Sequence, residues 1–468
     1  MTPQPGRPDD QPAPSRGRPR ELTLAVGAPA HGGHCVARPV DDPDGRVIFV
    51  RHALPGETVR AVMTEKNAKI WRADAVEILS ASPDRVEAIW PEAGPGGVGG
   101  AELGHVALPA QRTWKRWVLA DCLRRIGGEE VASAVAALPE AGGAGAVPVE
   151  PMASEAAAEA SGTARVRARA GTGTRTRVAL VVDDEGRVGM HAFRSGRVVP
   201  VRSLPLAVPA IRDLGLTERA VWRHHYRPGL RIRAIAPSRG EPVVLLSDGR
   251  EDRVLTASGR PTGRRRVEEV VDASGPGLGE LRYTVHVSGF WQVHRDAPAA
   301  LVERVVRAAV PDPARAGDVR VLELYSGAGL LTLPLAALGC EVRSLEADEQ
   351  AVRDARRTLH DFTSAHLHVG RAGADAVASL GSGFGPGRDG RADVVVLDPP
   401  RRGAGREVVE AVAALRPRRI VLVGCDPAAL ARDLRTFIGR GCRIVALSAL
   451  DMFPHTHHFE TIAVLEGA

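Results

Sequence analysis

Long apolar runs, lysine and cysteine are all scarce in this 468-residue chain. No uninterrupted apolar span approaches the ~20 residues a membrane helix needs, and no charged-then-apolar leader opens the sequence. A soluble, cytoplasmic protein with no membrane partner is therefore expected. The five cysteines form no Cys-x-x-Cys pair, which argues against a disulfide framework and fits a reducing compartment. Lysine occurs only at Lys66, Lys69 and Lys115, so the net charge of +6 and the isoelectric point near 9.4 rest on arginine. That balance allows a polyanionic partner, although arginine beside abundant Ala and Gly also follows from nucleotide composition.

What is present divides the chain into segments, and its length makes two or three domains the prior expectation. Residues 1–20, rich in Pro and Arg without hydrophobic periodicity, read as a disordered tail. Over residues 21–82, alternating runs such as ELTLAV, RVIFV and ETVRAVM are separated by HGGH, DPDG and LPGE, the pattern of a small all-β barrel. Residues 83–280 mix strand-like runs with the helical WKRWVLADCLRRIGG, a mixed α+β central domain. Inside it, about 129–162 is an Ala/Gly/Pro/Glu stretch without aromatics, expected as a flexible loop insertion. Residues 281–468 alternate strand and helix, which predicts a doubly wound, Rossmann-like α/β domain.

In that last domain VRVLELYSGAGLLTLPLAALG reads as strand, glycine turn and helix, followed by EVRSLEAD, a strand ending in an acid. Gly327 and Gly329 let a ligand approach the backbone, and Glu346 can accept hydrogen bonds from ribose hydroxyls. Thr332 stands where a dinucleotide site would want a third glycine, which disfavours a hydride-transfer enzyme. A third strand, ADVVVLDPPRRGAG, ends at Asp398. Polar groups at carboxyl ends of neighbouring strands face the ligand crevice of such a sheet, so Tyr325, Glu346 and Asp398 are placed together.

The ordered set ELYSGAG, DPPRRG, GCDPAALARDL and DMFPHTHHFET, with GFWQVH upstream, resembles the S-adenosylmethionine-dependent RNA 5-methyluridine methyltransferases of bacterial tRNA and 23S rRNA. The N-terminal GGHCVARPV, GRVIFVRHALPGETV and SPDRVE are similar to the RNA-binding barrel called the TRAM domain. The resemblance covers both ends well and residues 130–270 poorly. It implies a class I methyltransferase domain, S-adenosylmethionine as cofactor, RNA as partner and a monomer.

Carbon 5 of uracil is a weak nucleophile, and a thiolate adding to carbon 6 makes it an enolate-like one. A base must then remove the carbon 5 proton. Cys425 suits the first part: Asp426 is a good N-cap and Pro427 a good first helical residue, so the thiol sits ahead of a helix N-terminus whose dipole favours a thiolate. Cys35, Cys122, Cys340 and Cys442 read as structural. The resemblance assigns the proton acceptor to Glu460 and contact with the methyl donor to Gln292; Asp398 lies near the cofactor or the uracil edge, or merely caps its strand. Phe290 is a candidate to stack on an extruded base, with core packing as the competing reading. Arg432 and Asp433 form a helix-face ion pair or support the site. No metal is expected, since His455, His457 and His458 lack a convincing remaining ligand set.

Many relatives carry a [4Fe–4S] site written C-x5-C-G-G-C, whereas this chain has Glu92, Val98 and Ala101 at those cysteines, so no cluster is expected. RNA cytosine-5 methylation is the nearest rival chemistry, but its second, Pro-Cys, cysteine is missing here. Adenine amino-group methylation wants an aromatic residue after Pro-Pro, and position 401 is arginine. A non-catalytic RNA-binding or assembly factor stays open as a third reading.

Overall fold

The computed structural model describes residues 21–143, 145–384 and 390–467; the N-terminal tail expected over 1–20 lies outside them. The chain forms two compact units. The smaller is a closed five-stranded, OB-like barrel of β1 (Glu21–Ala30), β2 (His34–Pro39), β3 (Ile48–Arg51), β4 (Thr58–Lys66) and β5 (Trp71–Ser80), in the order β1-β2-β3-β5-β4. Leu24, Val26, Ile48, Val50, Val59 and Ala61 supply its interior, as the alternating pattern requires. Its one parallel pairing, β3 with β5, is locked by a buried bidentate ion pair from Arg51 to Asp74 at 2.9 and 2.7 Å.

In the larger unit the stretch expected as a loop insertion carries real structure. It forms a helix over Glu129–Ala136, a short strand β6 (Val149–Glu150) and a helix over Ala153–Glu159. The reason is burial: Val131, Val135, Val147, Val149 and Met152 are all buried, a sparse apolar set that composition alone obscured. Six strands follow, β7 (Arg177–Val182), β8 (Val188–His191), β9 (Val198–Pro200), β10 (Arg231–Ile235), β11 (Val243–Ser247) and β12 (Asp252–Thr256), in one antiparallel sheet ordered β12-β11-β10-β7-β8-β9.

The hairpin of β13 (Arg266–Asp272) and β14 (Glu280–His286) straddles the boundary expected at residue 280, and both of its strands pack with the C-terminal core. Buried Asp354, in the helix Glu349–Thr358, accepts the His286 amide at 2.7 Å and Arg266 Nε at 3.2 Å. The Tyr283 hydroxyl donates to the Leu330 carbonyl at 2.9 Å.

The C-terminal strands are β15 (Arg320–Leu324), β16 (Glu341–Glu346), β17 (Ala365–Val369), β18 (Val394–Leu397), β19 (Arg419–Gly424), β20 (Arg443–Leu450) and β21 (Glu460–Glu466). With β6 they form an eight-stranded sheet ordered β17-β16-β15-β18-β19-β21-β20-β6. Strands β15 to β19 are parallel, while β21 is antiparallel to both neighbours. Strand order reverses at β15, between β16 and β18, and ligands of open α/β sheets bind at such a switch point. Among the described residues no helix is long and apolar enough to cross a membrane.

Candidate active site

Three strand ends open onto the switch point. At the end of β15, Tyr325 is a non-glycine residue with φ +64°, in the sparsely populated left-handed region, and its amide donates to the Leu345 carbonyl at 2.8 Å. Gly327 follows at φ +55° with nothing within 4 Å of where a Cβ would stand, so a ligand can come up to the bare backbone. Gly329 does a different job: a Cβ there would stand 3.3 Å from Leu359 and 3.4 Å from Ala355, so it allows close helix packing. Glu346 ends β16 and accepts the Gly327 amide at 3.0 Å and the Asp348 amide at 2.7 Å. Each oxygen keeps lone-pair capacity. Open glycine backbone beside an acceptor carboxylate fits the nucleoside part of a methyl donor.

Cys425 and Glu460 meet through strand register. Gly424 pairs with Thr461 across β19 and β21, which brings the residue after β19 alongside the residue that opens β21. The Thr461 hydroxyl donates to the Gly424 carbonyl at 2.7 Å, and a Cβ on Gly424 would stand only 2.9 Å from that hydroxyl oxygen. Glycine is thus needed there for space. Asp426 caps the helix Pro427–Ile438 by accepting the Ala429 amide at 2.8 Å, as its sequence suggests.

The electrostatics reverse one expectation. Burial, then Glu460 and Asp398, push the Cys425 thiol up to about 12, with Arg401 opposing. A rise from 9.0 to about 12 corresponds to about 4 kcal/mol. Even halved for partial exposure, this exceeds the ~0.3–1 kcal/mol that a helix N-terminus offers an anion. The free protein therefore holds a thiol, and the dipole loses. Burial likewise raises Glu460 well above the usual carboxylate range, with Asp398 adding to it and Arg401 opposing. Among the described residues its Oε1 has no hydrogen-bond partner, as suits a neutral carboxyl. Asp398 is pushed up to about 7 by burial and by Glu346.

The GFWQVH segment divides its aromatics. Trp291 is buried against Tyr283, ring centroids 5.1 Å apart, in the same core as Ala328 and Leu331, whereas Phe290 is 72% exposed. Core packing therefore does not account for Phe290. Half-buried Gln292 follows. The loop is anchored at His294, whose Nε2 lies 3.2 Å from Glu155 and whose Nδ1 accepts the Asp296 amide at 3.2 Å. Glu155, His294 and Asp296 have metal-like spacing, yet Asp296 also accepts the Ser154 amide at 2.8 Å, so the trio serves to tie the loop to the helix Ala153–Glu159.

Several supporting contacts follow from the fold and not from any motif. Arg401 is the cation that opposes the shifts of both Cys425 and Glu460. Asp433 pairs not with Arg432 but with backbone, accepting the Ala404 amide at 2.8 Å and the Gly405 amide at 3.2 Å, which holds the loop after Asp398. Glu323, inside β15, accepts the Thr332 hydroxyl at 2.6 Å and is raised to about 8 by burial; a charged residue within an apolar strand was its available signal. Lys115, in the helix Leu108–Cys122, forms a buried ion pair with Asp451 and donates to the Phe453 carbonyl at 3.2 Å. From the same helix Gln111 Oε1 accepts the His455 amide at 2.7 Å, and His455 Nε2 lies 3.1 Å from the Ala170 carbonyl. The C-terminal loop that leads to Glu460 is thus held by protein partners. The other four cysteines are buried, and burial pushes Cys122 up to about 12 and Cys340 up to about 11.

At the positions of the relatives' cluster cysteines, Val98 and Ala101 pack in a core with Trp90 and Leu180. Glu92 accepts the Arg202 amide at 2.7 Å and the Trp90 indole at 2.6 Å. Two aliphatic side chains and an engaged carboxylate do not fit a [4Fe–4S] cluster.

A parallel sheet with a bare glycine turn, an acid ending the next strand and further polar groups at its carboxyl edge defines a class I methyltransferase domain. The sequence profile of the tRNA (Uracil-5-)-methyltransferase family matches residues 280–467. An uncharacterized RNA methyltransferase of Streptomyces avermitilis is 38% identical over 96% of this chain and 98% of its own. The 23S rRNA (uracil(1939)-C(5))-methyltransferase of Alkalilimnicola ehrlichii is 31% identical over 96% of this chain and 97% of its own. The fold is also that of the Pyrococcus abyssi tRNA (uracil-54, C5)-methyltransferase solved with S-adenosyl-L-homocysteine, at TM-score 0.61 and 21% identity, over 94% of this chain and all of that one. This chain belongs to the S-adenosylmethionine-dependent RNA (uracil-5-)-methyltransferase family.

Proposed function

We propose that the protein methylates carbon 5 of a uridine in tRNA or 23S rRNA, with Cys425 as nucleophile and Glu460 as proton acceptor. The observation that carries this reading is the β19–β21 register, which brings the thiol alongside a buried carboxyl at the crevice. The names of the Alkalilimnicola and Pyrococcus relatives support the substrate class. The OB-like barrel supports an RNA partner, since such barrels commonly bind nucleic acid.

S-adenosylmethionine, when bound, supplies an electrophilic methyl group. Gly327, Glu346, Tyr325, Asp398 and Gln292 would hold it. The Cys425 proton passes to solvent and the sulfur bonds to carbon 6 of the uracil, while the carbon 5–carbon 6 π pair shifts onto carbon 5 and the carbon 4 oxygen, leaving carbon 5 electron-rich. Exposed Phe290 offers a face on which an extruded base can stack. Once carbon 5 carries its methyl group, Glu460, having released its own proton to solvent, takes the carbon 5 proton; the carbon–hydrogen pair re-forms the carbon 5–carbon 6 double bond, the carbon 6–sulfur bond breaks and Cys425 leaves as a thiolate. Burial raises the proton affinity of Glu460, which makes its carboxylate a strong acceptor, while Arg401 keeps ionisation within reach.

Labelled methyl donor, bulk RNA and single variants test the cycle. Glu460→Gln should accumulate a denaturation-resistant, methyl-labelled protein–RNA band, and Cys425→Ala should give neither band nor product. Near-normal methylation by Cys425→Ala would sink the mechanism. A non-catalytic RNA-binding protein would give no labelled RNA with the unaltered chain.

A further inference from the structure

Beside the catalytic crevice lies an open cleft of about 540 Å3 between the helices Arg406–Ala414 and Pro427–Ile438. Five arginines line it, with two carboxylates, and both carboxylates are already engaged. Glu410 takes Arg406 at 2.8 Å and Arg440 at 2.7 Å, which braces one end. Asp433 takes the Ala404 and Gly405 amides, which braces the other. Arg402, Arg432 and Arg435 remain: all three are exposed, and none of their guanidinium groups makes a hydrogen bond or close ion pair among the described residues, Arg432 having only a longer-range attraction to Asp433. Five guanidinium groups against two carboxylates leave the cleft with an excess of positive charge that an entering anion would offset, and the planar donor forks of the three without close partners match phosphate oxygens. The volume falls in the ~300–1,000 Å3 range of ligand sites, more than one phosphate needs.

The cleft adjoins the pocket at Cys425. Asp433 lines both it and the small pocket formed by Pro399, Gly424 and Cys425. A base held at Cys425 carries its backbone with it, so phosphates flanking the target pass close to this surface.

We propose that Arg402, Arg432 and Arg435 form a subsite for the RNA backbone, gripping phosphates that flank the nucleotide under modification. The subsite rests on the proposed RNA methylation, and its test is separable from that reading. Binding of a labelled oligouridylate would be measured across a salt series for the full-length protein and for Arg402→Gln/Arg432→Gln/Arg435→Gln. Each phosphate contact on a single strand contributes about 0.7 to the slope of log affinity against log salt, so three lost contacts lower the slope by about 2. Between about 50 and 200 mM salt the unaltered protein should then lose about 16-fold more affinity than the variant. Binding of S-adenosylmethionine should be unchanged. If the triple variant is misfolded by circular dichroism, Arg432→Gln and Arg435→Gln, both on an exposed helix face, carry the test, each lowering the slope by about 0.7. An unchanged slope in a folded variant overturns the subsite. Absence of methyl transfer to bulk RNA by the unaltered protein overturns the functional reading instead, and the slope still decides whether the cleft binds backbone.

Discussion

Alkylation of Cys425 by iodoacetamide in the absence of RNA and methyl donor measures how the protein holds the proposed nucleophile. With the thiol pushed up to about 12, the thiolate fraction at neutral pH is about a thousandfold below that of an ordinary thiol at 9.0. The rarer thiolate is also the more basic one, and a Brønsted coefficient of about 0.45 returns about 20-fold in intrinsic reactivity. Cys425 should therefore react about 50-fold more slowly than free cysteine at neutral pH, as followed by mass spectrometry of its peptide. The logarithm of its rate should climb in proportion to pH without levelling off below about pH 9, because the titration lies higher. Arg401→Gln should slow it further, since that guanidinium favours the thiolate. A plateau near neutrality, or reaction faster than free cysteine, would show that the helix N-terminus outweighs burial and would refute the argument. If the slow rate is found, activation of the thiol belongs to the complex with substrate.

Two further outcomes concern the groups that support the site. Lys115→Met leaves Asp451 buried without its cation and should cost about 3–5 kcal/mol in urea unfolding, with Lys115→Met/Asp451→Leu recovering most of it; a loss under about 1 kcal/mol would contradict the buried pair. Glu323 is raised to about 8 from an ordinary 4.5, so between those values the native state keeps a proton that the unfolded state has lost. Its contribution to stability is complete at low pH and declines by about 1.4 kcal/mol per pH unit across that window. Glu323→Gln escapes the decline, so its stability relative to the unaltered protein should improve from about pH 5 to about pH 8, and a constant offset would exclude a protonated Glu323.

The local signals proved legible because each depends on neighbours in sequence. The ELYSGAG turn needs φ above zero at Gly327 and Gly329, and both have it. Asp426 and Pro427 open a helix where a good N-cap and a first-turn proline should. Residues 129–162 were misread because their apolar positions are few and small, and what makes them structural is the partner they meet: β6 pairs with β20, and Arg304 reaches Glu150. The boundary expected at residue 280 divides the β13–β14 hairpin for a similar reason, since no local pattern announces that Arg266 will reach Asp354.

The sequence by itself determined the class of domain, the glycine turn and the acid that ends the following strand, because residue type and short-range spacing suffice for these; it made Cys425 a candidate from its place ahead of a helix, whereas Glu460 was a candidate only through the family resemblance. It could not bring Cys425 and Glu460 together, 35 positions apart in the chain. That was decided by the antiparallel insertion of β21 beside β19, fixed by the Thr461 hydroxyl on the Gly424 carbonyl. Nor could it set the charge state of the thiol. A cysteine ahead of a helix reads as a thiolate from its neighbours in sequence, and only the burial, Asp398 and Glu460 around it in space make it a thiol. Desolvation and coulombic coupling depend on every group within a few ångströms, whatever its position in the chain, so tertiary structure has the final word on them.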